Sequence, residues 1–392
     1  MITVDEALGR IFALCTPMPV EAVPLAQAAN RVLARPVVAR RDQPPFAASA
    51  MDGYAVKGPV AVGQSFTVVG EAGAGNAFAG ALGPGQALRI FTGAPVPEGA
   101  DTVVIQEDVT REGDTITLQP GLGAGTNIRP AGNDFRAGDA LTAPRRLRPV
   151  DLGLIASMNV AEVPVHRRPV VAIIATGDEL VMPGEEPAAD QIVASSVFAL
   201  KAMVEAEGAE TRILPIARDS VEQLTAVLTM ARGADVIVTL GGASVGDHDL
   251  VAPVTQSLGA ERAFYKIAMR PGKPLMAGRL FEALMVGLPG NPVSALVCAQ
   301  LFLLPAIRAL LGLGSWPAPT KTALLAAPVA ANGPRAHYMR AVLEPEGRIR
   351  ALARQDSALV GVLAQADALL IRPIGDPERP EGHAVRYLPL QA

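Results

Sequence analysis

Residues 234–249 read ADVIVTLGGASVGDHD: a largely apolar run, a pair of glycines, and a loop that closes on two aspartates. Val/Ile-rich runs of this kind belong to strands covered on both faces. The glycines would let the backbone approach an anion, as a phosphate-binding loop does. Yet a P-loop carries GxxxxGK[ST], whereas here Gly241-x4-Gly246 is followed by Asp247, with Asp249 close behind. The strand decides the fold; the inverted charge after it poses the functional question.

Working outward, the same texture recurs. PVVAIIAT (169–176) and ALMVGLP (283–289) are further near-continuous apolar runs, and TRILPIA (211–217) and AFYKIAM (263–269) also read as strands. Helices are expected between them, at 195–208, at SVEQLTAVLTMA (220–231) and at 292–311. This alternation predicts an open, mostly parallel α/β sheet over 168–316. Residues 46–145 differ: FTVVG, ALRIF, DTVVIQ and TITL alternate with Gly/Pro turns, a β-rich module. Residues 1–45 with 146–167 are expected as a helical domain, from a Thr3-x-x-Glu6 capping box, the run LAQAANRVLA (25–34) and DLGLIASM (151–158). Residues 317–392 return to strands with one helix near 357–365, a small barrel-like β domain. The fold class is therefore multi-domain α/β.

Composition bounds the function. The chain has 392 residues, half of them hydrophobic, enough for several cores. A net charge of −4 and 4% aromatic residues offer neither the basic footprint nor the stacking surface of a nucleic-acid binder. The N-terminus carries acids where a signal peptide needs basic residues. The apolar run 293–313 is broken by Gln300, Pro305 and Arg308, so a core helix is expected rather than a membrane span. A soluble, cytoplasmic protein follows as the expectation. Cys15 and Cys298 sit in expected helices, far from any His pair, and read as small buried hydrophobes.

In open α/β sheets, ligands bind at the carboxyl ends of strands. Three unusual loops fall there: one with Thr176, Gly177, Asp178 and Glu179; one with Gly241, Gly242, Ser244 and Gly246; and one with Pro289, Gly290, Asn291 and Pro292. Asn291 suits an N-cap and Pro292 a first helical position. Asp178, Glu179, Asp219, Asp247 and Asp249 gather carboxylates beside this anion cradle. They imply an intervening cation, and Mg²⁺ suits, because it uses one or two carboxylates and bridges to substrate phosphates. Asp219 could equally be a plain helix N-cap, and His248 a solvated loop residue. Positive charge comes from Lys266, Arg270 and Lys273 in YKIAMRPGKPL, which could clamp an oxyanion.

Together, SAMDGYAV, IFTGAPVPEGADTVVIQED, ATGDEL, GGASVGDHD, KIAMRPGKP and GLPGNPVSA resemble the molybdopterin molybdenumtransferase family, MoeA, shared with the E domain of gephyrin. The resemblance implies an elongated four-domain homodimer whose third domain is MoaB/Mog-like. It implies a reaction in which adenylylated molybdopterin and molybdate react with Mg²⁺ assistance, releasing AMP, in a cleft between the α/β domain of one subunit and the β module of the other. The family's functional positions fall on Asp52, Thr92, Arg129 and Asp134, and on Glu179, Asp219, Asp249, Lys266 and Arg270. Lys273, Pro289 and Pro292 lie alongside, and Arg340 and Ser357 match in the last domain. On this reading Lys266, Arg270 and Lys273 meet substrate phosphates or molybdate. Glu179 and Asp249 serve the metal or proton transfer, and Asp52 and Thr92 face the molybdenum side. Contacts with the adenylyltransferase and with molybdoenzymes are implied; nucleic acid and membrane are not.

Where the family carries a polar residue, this chain has Ala47, and the segment QIVASS places Ala194 and Ser196 in variable positions; Arg270 stands for the usual Lys. These departures leave open a weakly active paralogue. A gephyrin-like scaffold and a molybdopterin adenylyltransferase also stay open at this level.

Overall fold

A computed structural model describes residues 1–242 and 250–390. They form two compact units, one of Met1–Glu21, Asn30–Ala34 and Val165–Ala392, the other of Ala22–Ala29 and Arg35–Pro164.

In the first unit six strands lie in the order Glu210–Ile213, Val170–Ala175, Val236–Leu240, Ala283–Leu288, Met276–Leu280 and Glu261–Tyr265. The first four pair in parallel, as their apolar runs predict. Within this sheet only Met276–Leu280 runs against its neighbours. A two-residue hairpin reverses it: Phe281 and Glu282 both take positive φ, 51° and 68°, the condition of a type I′ turn. Val171 and Ile173 enter one apolar cluster and Ala172 and Ile174 another, so the strand is covered on both sides. Each such Val or Ile stabilises the core by roughly 1.5–3 kcal/mol.

Pro292–Leu310 is the core helix of this unit. Among the described residues only this helix is long and apolar enough to cross a membrane, and 83% of its apolar window is buried inside the protein. Its middle, Ala299–Leu303, widens to a π-turn just before Pro305. Proline donates no N–H and crowds the carbonyl four residues back, which accounts for the local widening.

The stretch AFYKIAM does not stay one strand. It leaves the sheet after Tyr265, turns at Lys266 (φ 67°), and Met269–Arg270 then pairs in parallel with Ala336–His337 of a second sheet. That sheet orders Met269–Arg270, Ala336–Glu344, Arg348–Ala351, Lys321–Leu325, Ala384–Pro389 and Ala368–Arg372. Ala368–Arg372 also pairs with Ala336–Glu344, closing a five-stranded barrel with the Met269–Arg270 strand attached to it. The helix expected near 357–365 is a single turn, Val360–Leu363.

The second unit holds the β module. Its sheet orders Thr102–Ile105, Gly53–Val56, Gln86–Ile90, Ser65–Ala72, Thr115–Leu118 and Val109–Glu112. Alternate residues feed opposite cores, Tyr54 and Val56 on one face, Ala55 on the other. Gly53 lies so close to its neighbour that a Cβ there would come 2.0 Å from the Val104 carbonyl oxygen.

The N-terminal helical reading needs correction between residues 13 and 45. The capping box is present: Thr3 Oγ1 accepts from Glu6 N, Thr3 N donates to the Glu6 carboxylate, and the helix runs Val4–Phe12. Its Ala7, Leu8 and Ile11 enter the α/β core. LAQAANRVLA, however, is a 3₁₀ turn, Leu25–Gln27, and a short strand, Val32–Leu33. Its residues are good helix formers, but Pro24 and Pro36 bracket it and Asn30 takes the left-handed region (φ 61°), leaving no room for a stable helix. Cys15 accordingly lies beyond the first helix, while Cys298 is inside the core helix. Burial pushes the Cys15 thiol up to about 12 and the Cys298 thiol up as well, so neither is a thiolate at neutral pH.

Candidate active site

The three loops at the carboxyl ends of the parallel strands converge. Thr176 N and Oγ1 both donate to the Leu240 carbonyl, at 2.9 and 3.3 Å, and Gly241 N donates to the Leu288 carbonyl at 3.1 Å. Gly241 takes φ +98°, and a Cβ there would meet Thr176 Oγ1 at 2.7 Å and its carbonyl oxygen at 2.8 Å. Glycine is thus required at this position by both conformation and space. These loops floor a cleft of about 1250 Å³.

Glu179 and Asp219 both line it. The Glu179 carboxylate folds back over Gly177, where an added Cβ would sit 2.3 Å from Oε2. Asp219 N donates to Asp178 Oδ1 at 3.0 Å. The N-cap of the following helix is Ser220, whose hydroxyl accepts from Gln223 N, so Asp219 is not the capping residue. Arg218, which the sequence did not single out, holds this wall: its Nη1 donates to the carbonyls of Asp178 and Leu180, both at 2.9 Å. Its only sequence signal is adjacency to Asp219.

Arg270 and Lys273 line the same cleft and are exposed to it. Gly272 between them (φ +105°) packs on Cys298, with space for no side chain, since a Cβ would lie 2.3 Å from Sγ. Lys266 is not on the cleft wall; its Nζ stands 5.1 Å from the centroid of the Tyr265 ring.

The barrel supplies the opposite wall through Arg335, His337, Met339 and residues 355–358. Pro289, Gly290, Asn291 and Pro292 meet it there: Asn291 Nδ2 donates to Ser357 Oγ at 3.0 Å, and Val293 N donates to the Ser357 carbonyl at 3.1 Å. Asn291 does occupy the N-cap position, but its side chain reaches Ser357 instead of the helix N–H groups. Arg340 is fully buried and absent from the cleft lining. It holds the wall from behind, Nη2 donating to the Asp356 carbonyl at 3.1 Å, while its Nε and Nη1 have no partner. Burial lowers its pKa, the Asp356 charge opposing that shift.

Ala194 and Ser196 sit on the cleft wall, only 5% and 8% exposed. Ser244, Gly246, Asp247, His248 and Asp249 lie outside the described residues. Among the described residues no group of three or more His, Cys, Asp or Glu could hold a metal ion. Glu179 and Asp219 still present carboxylates to the cleft, which fits a cation completed by substrate oxygens rather than by a closed protein cage.

The β module carries a separate constellation in the second unit. Ser49 N donates to the Ala94 carbonyl (3.0 Å), Gly93 N to the Ser49 carbonyl (2.9 Å), and Ala50 N to the Asn127 carbonyl (2.8 Å). These bonds join SAMDGYA, FTGAPVP and the Asn127–Arg129 segment. Thr92 donates from N and from Oγ1 to Asp52 Oδ1, both at 2.7 Å. Those two bonds, with Arg89 nearby, hold the Asp52 carboxyl below its ordinary value. Arg129, opposite Ala48 in the adjoining strand pair, and Asp134 are exposed. Ala47 accepts from Val96 N through its carbonyl, so its backbone serves the loop while its side chain adds no polar group.

Profiles of three domains match the chain: the MoeA N-terminal region (domain I and II) over residues 2–159, a probable molybdopterin binding domain over 172–309, and the MoeA C-terminal region (domain IV) over 322–390. The chain is 38% identical over 324 residues to a molybdopterin molybdenumtransferase of Haemophilus influenzae, covering 81% of this chain and 80% of that protein. It is 36% identical over 383 residues to molybdopterin molybdenumtransferase 2 of Mycobacterium tuberculosis, covering 94% of each. A crystal structure of a molybdopterin biosynthesis MoeA protein from Pyrococcus horikoshii superimposes with a TM-score of 0.85 at 29% identity, covering 100% of both chains.

Proposed function

Since this chain belongs to the MoeA family of molybdopterin molybdenumtransferases, we propose how its own residues carry the family's reaction. The chain is a transferase of molybdenum cofactor biosynthesis that inserts molybdenum into molybdopterin. We take the substrates to be adenylylated molybdopterin and molybdate, with AMP as the leaving product. Match to molybdenumtransferases along nearly the whole length favours insertion over the scaffold and adenylyltransferase readings.

The observation that carries the assignment of roles is one cleft with carboxylates, Glu179 and Asp219, and exposed cations, Arg270 and Lys273, on its walls. Cleaving a phosphate anhydride asks for positioning and charge neutralisation more than for a covalent nucleophile. Arg270 and Lys273 would hold anionic oxygens and stabilise charge that develops on them. Thr176, Gly177, Gly241 and Gly290 would let the pterin nucleotide approach the backbone. Mg²⁺ would be held by Glu179, with Asp219 and, from outside the described residues, Asp249, and would neutralise substrate phosphate charge when bound. Asp52, kept ionised by Thr92, would act from the β module of a second copy, so the active assembly would be a homodimer. The adenylyltransferase that supplies the substrate and the molybdoenzymes that take the product are the partners this reading implies.

Purified protein given adenylylated molybdopterin, molybdate and Mg²⁺ is expected to release AMP only when molybdate is present. EDTA should lower the rate at least about tenfold, and Mg²⁺ restore it. AMP release that ignores molybdate would refute the reading; consumption of ATP in its place would point to the adenylyltransferase chemistry.

Gly177→Ala is a milder test. An added methyl must displace the Glu179 carboxylate and strain a backbone at φ +144°, so kcat/KM should fall about tenfold with the KM for Mg²⁺ raised. Unchanged Mg²⁺ dependence would remove Glu179 from the metal's surroundings.

A further inference from the structure

His337 has no place in the roles assigned so far. It sits on the Ala336–Glu344 strand between Arg335 and Met339, and all three face the cleft. It is 6% exposed, and among the described residues neither ring nitrogen has a hydrogen-bond partner. In register with it lie Arg270 on one neighbouring strand and Arg372 on the other. Arg372 is neutralised by Asp376, its Nε donating to Oδ2 at 2.5 Å. Arg270, Arg335 and Lys273 have no ion pair among the described residues and line the same cleft, and the charges of Arg270 and Arg335 reach the imidazole. The ring nitrogens open to the cleft, since neither is among the buried polar atoms left without a partner, and the cations beside them form a cradle without its counter-charge. An oxyanion would complete it.

We propose that His337 is a positioning residue of the cleft: it receives a tetrahedral oxyanion as a neutral imidazole beside Arg270, Lys273 and Arg335, and takes up one proton from solvent as that anion settles. No bond of the anion breaks; the proton goes to the free ring nitrogen. Burial first and then Arg270, Arg340, Arg372 and Arg335 hold the imidazole down at about 3. Asp356 is an acid on the same cleft wall; its charge acts on Arg340, and its Oδ1 is already accepting from Ala358 N. A seated anion cancels the cationic field and offers the ring an acceptor, so the ring's affinity for a proton rises towards its ordinary level. Binding of anion and proton then reinforce each other by the same factor. The inference rests on the reading that this cleft takes oxyanions. The anion is of one chemistry, whether it is a phosphate group of the nucleotide or molybdate itself.

The test uses the full chain and inorganic sulfate, which does not titrate in this range, at constant ionic strength. Sulfate affinity measured by calorimetry should rise about tenfold from pH 8 to pH 5.5, with net proton uptake. His337→Gln should flatten that rise, while Arg270→Ala weakens sulfate at both pH values. As a measurement free of any variant, the His337 ring resonance should stay neutral at pH 5.5 without sulfate and become protonated with it; three other histidines serve as references. Displacement of sulfate by molybdate or by AMP assigns the source of the anion, and displacement by neither overturns the proposal. Sulfate that binds equally at both pH values removes the role of His337 and leaves the oxyanion reading standing. No sulfate binding at either pH overturns both. An equal loss of affinity at both pH values in His337→Gln, with the slope retained, would mark a merely structural residue.

Discussion

Lys273→Ala is expected to lower kcat/KM for molybdate-dependent AMP release by about 10²–10³, the usual effect of removing one preorganised charge from a developing oxyanion. Lys273 is exposed at the turn, lines the cleft, and its carbonyl rather than its ammonium makes the local bond, accepting from Ile267 N at 3.1 Å. The substitution therefore removes charge without removing structure, and stability should change by less than about 0.5 kcal/mol. Lys321→Ala, on an exposed strand end of the barrel away from the cleft, should stay within about twofold of the parent. Steady-state kinetics with thermal melts on both variants decide the matter. A Lys273→Ala enzyme within tenfold of the parent would remove this residue from the anion's path.

The second large effect concerns stability. Arg372 is 1% exposed and its charge is satisfied by Asp376 and by the carbonyls of Ala330 and Pro377, at 3.0 and 2.7 Å. Arg379 also donates to Asp376, at 2.9 and 2.6 Å. Asp376→Ala would leave a buried guanidinium without its counter-charge, which costs about 3–5 kcal/mol. Urea unfolding should show the loss, and pairing the change with Arg372→Met should recover part of it. Burial alone would raise the Asp376 pKa, but the bonds from Arg379 and Arg372 outweigh it and the carboxyl sits below its ordinary value. A lowered folded value means the contribution is complete above the unfolded pKa of about 4 and is lost as pH falls through the folded one. The parent should thus lose this increment in acid, and Asp376→Ala should not. Equal acid sensitivity in the two proteins would count against the pair.

The sheet was legible where burial on both faces leaves only apolar residues, as in PVVAIIAT, ADVIVTL and ALMVGLP. It was less so where backbone conformation overrides composition. LAQAANRVLA has helical propensity throughout, yet two prolines and a left-handed Asn30 set its shape. AFYKIAM looks like one strand because its residues suit any pleated surface; the positive φ of Lys266 divides it.

The cleft followed the same division. Its loops announce themselves through glycine and proline, and Thr176, Gly177, Glu179, Asp219, Gly241, Gly242, Arg270, Lys273, Pro289–Pro292 and Ser357 do line one space. Lys266 and Arg340 do not, since chain direction at those points is a tertiary matter that a motif cannot carry. Arg218 and His337 carry no sequence signal, because a half-buried Arg in a loop and a His in an alternating strand look ordinary until their neighbours are known.

The Met269–Arg270 strand is only two residues long, yet it belongs by sequence to the α/β domain and by hydrogen bonding to the barrel. It is a dowel between two carpentered pieces, and the cleft-lining guanidinium of Arg270 is fixed to the dowel itself. The barrel is for that reason less an appended module than a jig: it sets the aim of a side chain it does not encode.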